Sequence, residues 1–173
     1  MSDSKPKFTP PTVTDDLSAL EKVKQWMEMA AQYDENHDTE LRSLMHLESA
    51  VFSPTPANPH AATVVWSLTI PSSMCNMAAN LHGGAVALIF DICTSTAIMA
   101  ASSPGFWDMG HVSRTLNCTY LRPAPVGSKI TIESQVVHLG KRLGMTTGVI
   151  RGEDGKVCYT CEHQKAVVGV PVL

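Results

Sequence analysis

His82-Gly83-Gly84-Ala85-Val86-Ala87-Leu88-Ile89-Phe90-Asp91-Ile92-Cys93-Thr94-Ser95-Thr96-Ala97-Ile98-Met99-Ala100-Ala101 is the stretch that decides the fold. From Ala85 to Met99 it is apolar almost all round, and a helix without a polar face belongs inside a protein. Its length approaches that of a bilayer crossing. It carries Asp91 and the run Thr94-Ser95-Thr96, however, and a β pattern follows it, so a buried core helix over Gly84–Ala101 is expected and no membrane span. Ser102-Ser103-Pro104-Gly105 stops it. Asp91 is the only ionisable side chain, cysteine apart, from Gly83 to Ala101. A carboxylate in such a helix costs several kcal/mol of desolvation unless partners compensate it. It is therefore either a buried residue bonded to a neighbouring strand or a working group.

Outward from this helix, Leu17, Leu20, Val23, Met27 and Ala30-Ala31 recur at helical spacing. They predict an amphipathic helix over about residues 15–34, capped by Thr14 or Asp15, behind a flexible arm at 1–14. Tyr33 to Glu40 is polar and ends it. Leu44–Phe52 and Thr63–Ile70 read as strands divided by the Pro54, Pro56 and Pro59 connection. Pro71–Leu81 reads as a loop. After the core helix, Val112–Leu121, Lys129–Leu139, Leu143–Arg151 and Lys156–Val168 read as four successive antiparallel strands forming a meander, with Asp154-Gly155 a strong hairpin signal. The expectation is an α+β fold: a curved antiparallel β-sheet wrapped around a long central helix, with an extra N-terminal helix. Residues 1–40 form the arm and helix, and 41–173 the main domain.

Of the 173 residues, 44% are hydrophobic and 17% charged, which suits one domain with a real core and excludes a disordered chain. A formal net charge of −3 with scattered basic residues argues against nucleic acid as a partner. Five cysteines, an odd count, and an N-terminus without an apolar signal core lead to an intracellular expectation, cytoplasmic or mitochondrial.

The start of the core helix sharpens the reading of Asp91. His82-Gly83-Gly84 places residues without side chains where backbone N–H groups are unpaired and the helix dipole is positive. Such a corner suits a carbonyl oxygen that becomes an oxyanion. Nine residues of helix rise about 13 Å. The Gly83 N–H and the Asp91 carboxylate of one chain therefore cannot grip one carbonyl carbon, where attack needs roughly 3 Å. If both act on one substrate, the site lies between two chains.

Asn76-Met77-Ala78-Ala79-Asn80-Leu81-His82-Gly83-Gly84 resembles the N-x5-HGG signature of the hotdog-fold thioesterases, in their PaaI-type branch, with Asp91 at the acidic position nine after the histidine. The segment Val112–Ala124, with Ser113, Asn117-Cys118-Thr119-Tyr120 and Pro123-Ala124, resembles the same family, and so do Gly127 and Gly140-Lys141. The resemblance covers about residues 44–168. It implies an acyl-CoA thioesterase with no cofactor beyond the CoA of its substrate and no metal, working as a homodimer or homotetramer. Asn76 and the Gly83 N–H would hold the thioester carbonyl, with His82 orienting that corner. Asp91 of the other chain would act as base or nucleophile, with Ser113 positioning water. Arg114, Lys141 and Arg142 would hold the nucleotide of CoA. The same fold also serves acyl-thioester hydratases or dehydratases, and a non-catalytic acyl-CoA-binding module is a third reading.

Other signals carry less. Cys158 and Cys161 have opposite strand parity, so they are not expected to share a metal. Cys75 lies in a loop with no evident base. Ser113 with His82 and Asp91 spells a triad but lacks the strand-to-helix elbow of a serine nucleophile. His60, His111, His138 and His163 are taken as surface or satisfied residues. The N-terminal helix and the 54–59 loop exceed a minimal hotdog domain, with covering an acyl pocket, docking on the sheet or mediating assembly as their open roles. The stretch Ala101–His111 is lengthened too, and acyl length preference is expected to be set in these places.

Overall fold

A computed structural model describes residues 9–32 and 36–168. Helix α1 spans Ala19–Ala31. Its cap is Ser18 rather than Thr14 or Asp15, because Glu21 three residues on completes a capping box: Glu21 N–H donates to Ser18 Oγ at 3.3 Å, and Ser18 N–H donates to Glu21 at 2.7 Å. The expected C-terminal limit at 34, the arm's residues 1–8 and the last residues of the 41–173 domain lie outside the described residues. A short helix α2, Thr39–Leu44, occupies the polar segment before the first strand. Its apolar Leu41 is buried, and Asp38 and Arg42 pair at 3.0 Å one turn apart.

Six strands follow in chain order: β1 His46–Phe52, β2 Ala62–Thr69, β3 His111–Tyr120, β4 Lys129–Leu139, β5 Leu143–Arg151 and β6 Val157–Val167. Helix α3, Gly83–Ala101, lies between β2 and β3 in sequence. The sheet is antiparallel with order β1-β2-β4-β5-β6-β3. This corrects the four-strand meander. Of those four strands only β4, β5 and β6 follow one another as hairpins, while β3 crosses to the far edge and pairs with β6. The reason lies in the β3–β4 connection. Pro123 and Pro125 have no N–H for a hairpin ladder, and the connection instead bonds to the chain preceding α3. Leu81 N–H donates to the Ala124 carbonyl at 2.8 Å, Val126 N–H to Ala79 at 2.9 Å, and Gly127 N–H to Ile70 at 2.9 Å.

The sheet curves around α3, which touches all six strands. Alternate side chains, including Val64, Trp66, Leu68, Ile130, Ile132, Ile150, Tyr159 and Cys161, form the core with Ile89, Phe90, Cys93 and Ile98 of α3. Gly148 on β5 is where helix and sheet come closest. A Cβ there would lie 2.7 Å from Phe90 and 2.9 Å from Cys161 Sγ. The expected all-round burial of α3 holds except along one stripe. Ala87, Leu88, Asp91, Ile92 and Ser95 are half-buried and Gly84 is exposed, because the sheet closes only part of the way and β3 forms its edge. The helix α1 packs on α3 and β1. The 54–59 loop docks on β4, where Asn58 Nδ2 donates to the Val136 and Val137 carbonyls at 2.9 and 3.0 Å. Buried Trp107 in the lengthened 101–111 segment donates to the Gly140 carbonyl at 2.8 Å.

Candidate active site

Asp91 projects from the middle of α3 toward β3 and β6. Its Oδ1 accepts from Ser113 Oγ on β3 at 2.7 Å and from Lys165 Nζ on β6 at 3.1 Å, with His163 Nε2 at 3.4 Å. The carboxylate side chain is 44% exposed, whereas Lys165 is 3% and His163 0% exposed. The buried basic residues thus form the floor and the acid faces outward. Around it a cavity of about 350 Å³ is bounded by Trp26, Met27 and Ala30 of α1, Ile92 and Ser95 of α3, and Val112 of β3. Of the roles open to the N-terminal helix, this places α1 over the Asp91 cavity.

The pair's electrostatics follow from that geometry. Burial pushes the Asp91 carboxyl up, but the Lys165 ammonium and the Ser113 hydroxyl outweigh it and hold the acid below its ordinary range. Burial lowers Lys165, and Asp91 offsets only part of that. Burial and then the Lys165 charge hold His163 down to about 4 and His111 down to about 3. Both imidazoles are therefore neutral near pH 7. The tautomer of His163 follows from its neighbour. Thr94 Oγ1 spends its proton on the Phe90 carbonyl at 2.6 Å, so at 2.7 Å it can only accept from His163 Nδ1–H. The bare Nε2 then faces Asp91.

The start of α3 forms a second cluster. His82 is the N-cap, and its Nδ1 accepts the Gly84 N–H at 3.0 Å. A Cβ on Gly84 would sit 3.2 Å from that ring nitrogen, so this glycine makes room for the cap. A Cβ on Gly83 would meet only ordinary contacts, the nearest being Tyr120 at 3.5 Å. Packing within the chain therefore does not require glycine at 83. Asn76 Oδ1 accepts from the Ala78 and Asn80 N–H groups at 2.9 and 3.2 Å, which commits the acceptor end of the amide to the turn and leaves its donor end for a ligand. Asn76, Gly83 and Tyr120 line a separate cavity with Arg122. It shares no lining residue with the Asp91 cavity. The chain thus brings Ser113 to Asp91, and Asn76 and His82 to Gly83, but keeps the two groups apart.

Arg114, Lys141 and Arg142 are exposed and line neither cavity. The reading of His60, His111, His138 and His163 as surface or satisfied holds for the exposed His138, fails for His111 and holds only in part for His163, whose Nδ1 is bonded to Thr94. His163 is fully buried beside Asp91, and His111 lines the Asp91 cavity with its ring nitrogens buried and without a well-formed hydrogen bond. A serine triad is not formed within the chain, since His82 caps α3 away from Ser113. Lys165 was missed altogether. Strand parity could have found it, because 159, 161, 163 and 165 share the face that turns toward α3.

One long helix clasped by a curved antiparallel sheet is the hotdog architecture. The chain belongs to the thioesterase superfamily, whose pattern matches residues 78–159. Human acyl-coenzyme A thioesterase 13 is 30% identical over 105 residues, covering 59% of this chain and 71% of that protein. The fold is shared with zebrafish thioesterase superfamily member 2, at a TM-score of 0.69 and 24% identity over 88% of this chain and 99% of the other. The E. coli PaaI protein superposes with a TM-score of 0.62 and 20% identity, covering 88% and 97%.

Proposed function

We propose that this chain hydrolyses acyl-CoA thioesters in a symmetric homodimer, Asp91 and Ser113 of one chain facing Asn76 and Gly83 of the other. The observation that carries the reading is the separation of the two clusters into different cavities of one chain. Each cluster alone is half of an acyl-transfer site. Two features favour a partner chain: the half-buried stripe of α3 that holds Asp91, and the edge strand β3 beside it, whose outer side is open among the described residues. A homotetramer built from two such dimers is compatible with this pairing.

In the proposed site, the Asn76 amide and the Gly83 N–H donate to the thioester carbonyl and hold the oxyanion that develops. His82 keeps the helix start in place. Asp91 either takes a proton from the attacking water, which Ser113 helps to position, or attacks the carbonyl itself to give an anhydride that water opens. Both routes release the free acid and the CoA thiol. Arg122 beside the Asn76–Gly83 cavity, together with Arg114, Lys141 and Arg142 on the surface, are the candidate contacts for the CoA phosphates.

A hydratase needs an imidazole at the acyl chain. His163 next to Asp91 is fully buried behind it, and both ring nitrogens of His111 in the Asp91 cavity are buried as well, which favours hydrolysis. The test is thiol release from a panel of acyl-CoAs by wild type and Asp91→Asn. Turnover by wild type with a large loss in the variant is expected. Equal turnover would remove Asp91 from the chemistry, and no release from any acyl-CoA by wild type would favour a binding module.

A further inference from the structure

We infer that Lys165 is a positioning residue of this reaction: it locks Oδ1 of Asp91 in place so that Oδ2 is the oxygen presented to the substrate or its water. The inference rests on the thioesterase reading of Asp91. Lys165 Nζ lies 3.1 Å from Asp91 Oδ1, 2.7 Å from Ser95 Oγ and 3.0 Å from Ser113 Oγ. Both hydroxyls have already spent their protons on Asp91. Ser95 Oγ donates to its backbone carbonyl at 2.5 Å, and Ser113 Oγ donates to its Oδ1 at 2.7 Å. Each serine therefore offers Lys165 only a lone pair. Three acceptors require three N–H donors, which an ammonium has and a neutral amine lacks. The tripod is complete only while Lys165 is charged.

This arrangement divides the labour between the two carboxylate oxygens. Among the described residues, every hydrogen bond to the Asp91 carboxylate ends on Oδ1. An oxygen held by an ammonium and a hydroxyl is a poor base and a poor nucleophile. Reaction falls to Oδ2. A positive charge within hydrogen-bond distance also keeps the acid ionised, although the helix around it is apolar. The other titratable groups around Asp91 are His163 on β6, His111 on β3, and Asp38 and Arg42 of the α2 region at the cavity rim. Both imidazoles are neutral near pH 7, and Asp38 and Arg42 neutralise one another. Lys165 is left as the charge that sets the ionisation of Asp91.

The experiment is the pH profile of kcat/KM for acyl-CoA hydrolysis by wild type, Lys165→Met and Lys165→Arg, with carbon-13 NMR titration of the Asp91 carboxyl in the wild-type protein. In Lys165→Met the acid limb should move up by about one pH unit or more, with KM changed less than the limb, and Lys165→Arg should restore most of the shift. The wild-type carboxyl should titrate below the ordinary aspartate value. A folded Lys165→Met with wild-type kcat and an unmoved acid limb would overturn the inference. So would an Asp91 carboxyl that titrates above the ordinary value, a result that does not depend on the variant folding. If wild type releases no thiol, the thioesterase reading fails, and the same NMR titration repeated on Lys165→Met still decides whether Lys165 controls Asp91. The carboxyl should titrate higher in the variant, and an unchanged value would overturn the inference.

Discussion

Gly148→Ala should weaken the fold and the site together, because residue 148 is where the sheet meets the helix that carries Asp91. The added Cβ would lie 2.7 and 2.8 Å from Phe90 ring carbons and 2.9 Å from Cys161 Sγ. None of these is the loose end of a flexible chain: Phe90 is 0% and Cys161 4% exposed. Relief must come from turning or lifting α3 at Phe90, and Asp91 is the next residue. Overpacking of this kind costs about 1–3 kcal/mol. For a chain of this size that corresponds to a fall in Tm of roughly 2–12 °C. Thermal unfolding by circular dichroism at one fixed protein concentration measures it, since the Tm of an oligomer depends on concentration. Phe90→Leu in the Gly148→Ala background should recover part of the loss, a coupling expected of residues in contact. A Tm within about 1 °C of wild type would refute the claim that this contact sets the helix against the sheet.

Further outcomes follow from the same geometry. Asp91→Asn should fold and lose about 10²–10⁴-fold in kcat for thiol release, the range of a general acid–base group. Gly83→Ala should keep wild-type Tm or gain slightly, because its Cβ meets only ordinary contacts, while kcat/KM falls through blocked approach to the backbone. Ser18→Ala should cost about 0.5–2 kcal/mol through loss of the α1 cap, read by denaturant unfolding. His163 and His111 stay neutral in the folded chain down to about 4 and 3, whereas in the unfolded chain they take up protons near pH 6.5. The unfolded state therefore binds more protons below pH 6.5, and stability falls as pH drops, by about 1.4 kcal/mol per unit for each histidine. Urea midpoints between pH 7 and 4 check this, and His163→Gln should flatten the slope.

The apolar run from Ala85 to Met99 was enough to read α3 as the core, and the Asp154-Gly155 turn enough to read the β5–β6 hairpin. Local pattern could not say where β3 goes, since an exposed alternating strand fits either edge. Its place is fixed by hydrogen bonds from the Pro-containing connection to residues 70, 79 and 81, which are remote in sequence. Asp91 was legible because a lone carboxylate among apolar residues has a high cost. Lys165 was not, because a lysine in a strand ordinarily faces water. Only the inward phase of Tyr159, Cys161 and His163 shows that this one turns toward the helix. The rim of α1 over the Asp91 cavity was likewise unreadable, as amphipathicity says that a helix docks but not on what.

The most direct test of the central claim, a site shared between two chains, is complementation between Asp91→Asn and Asn76→Ala. Each variant alone should be nearly inactive. When the two are co-expressed or unfolded and refolded together, random pairing puts one intact site in each mixed dimer, so about a quarter of wild-type activity should return. A mixture no more active than its components, with mixed dimers demonstrated, would contradict a site built across the interface.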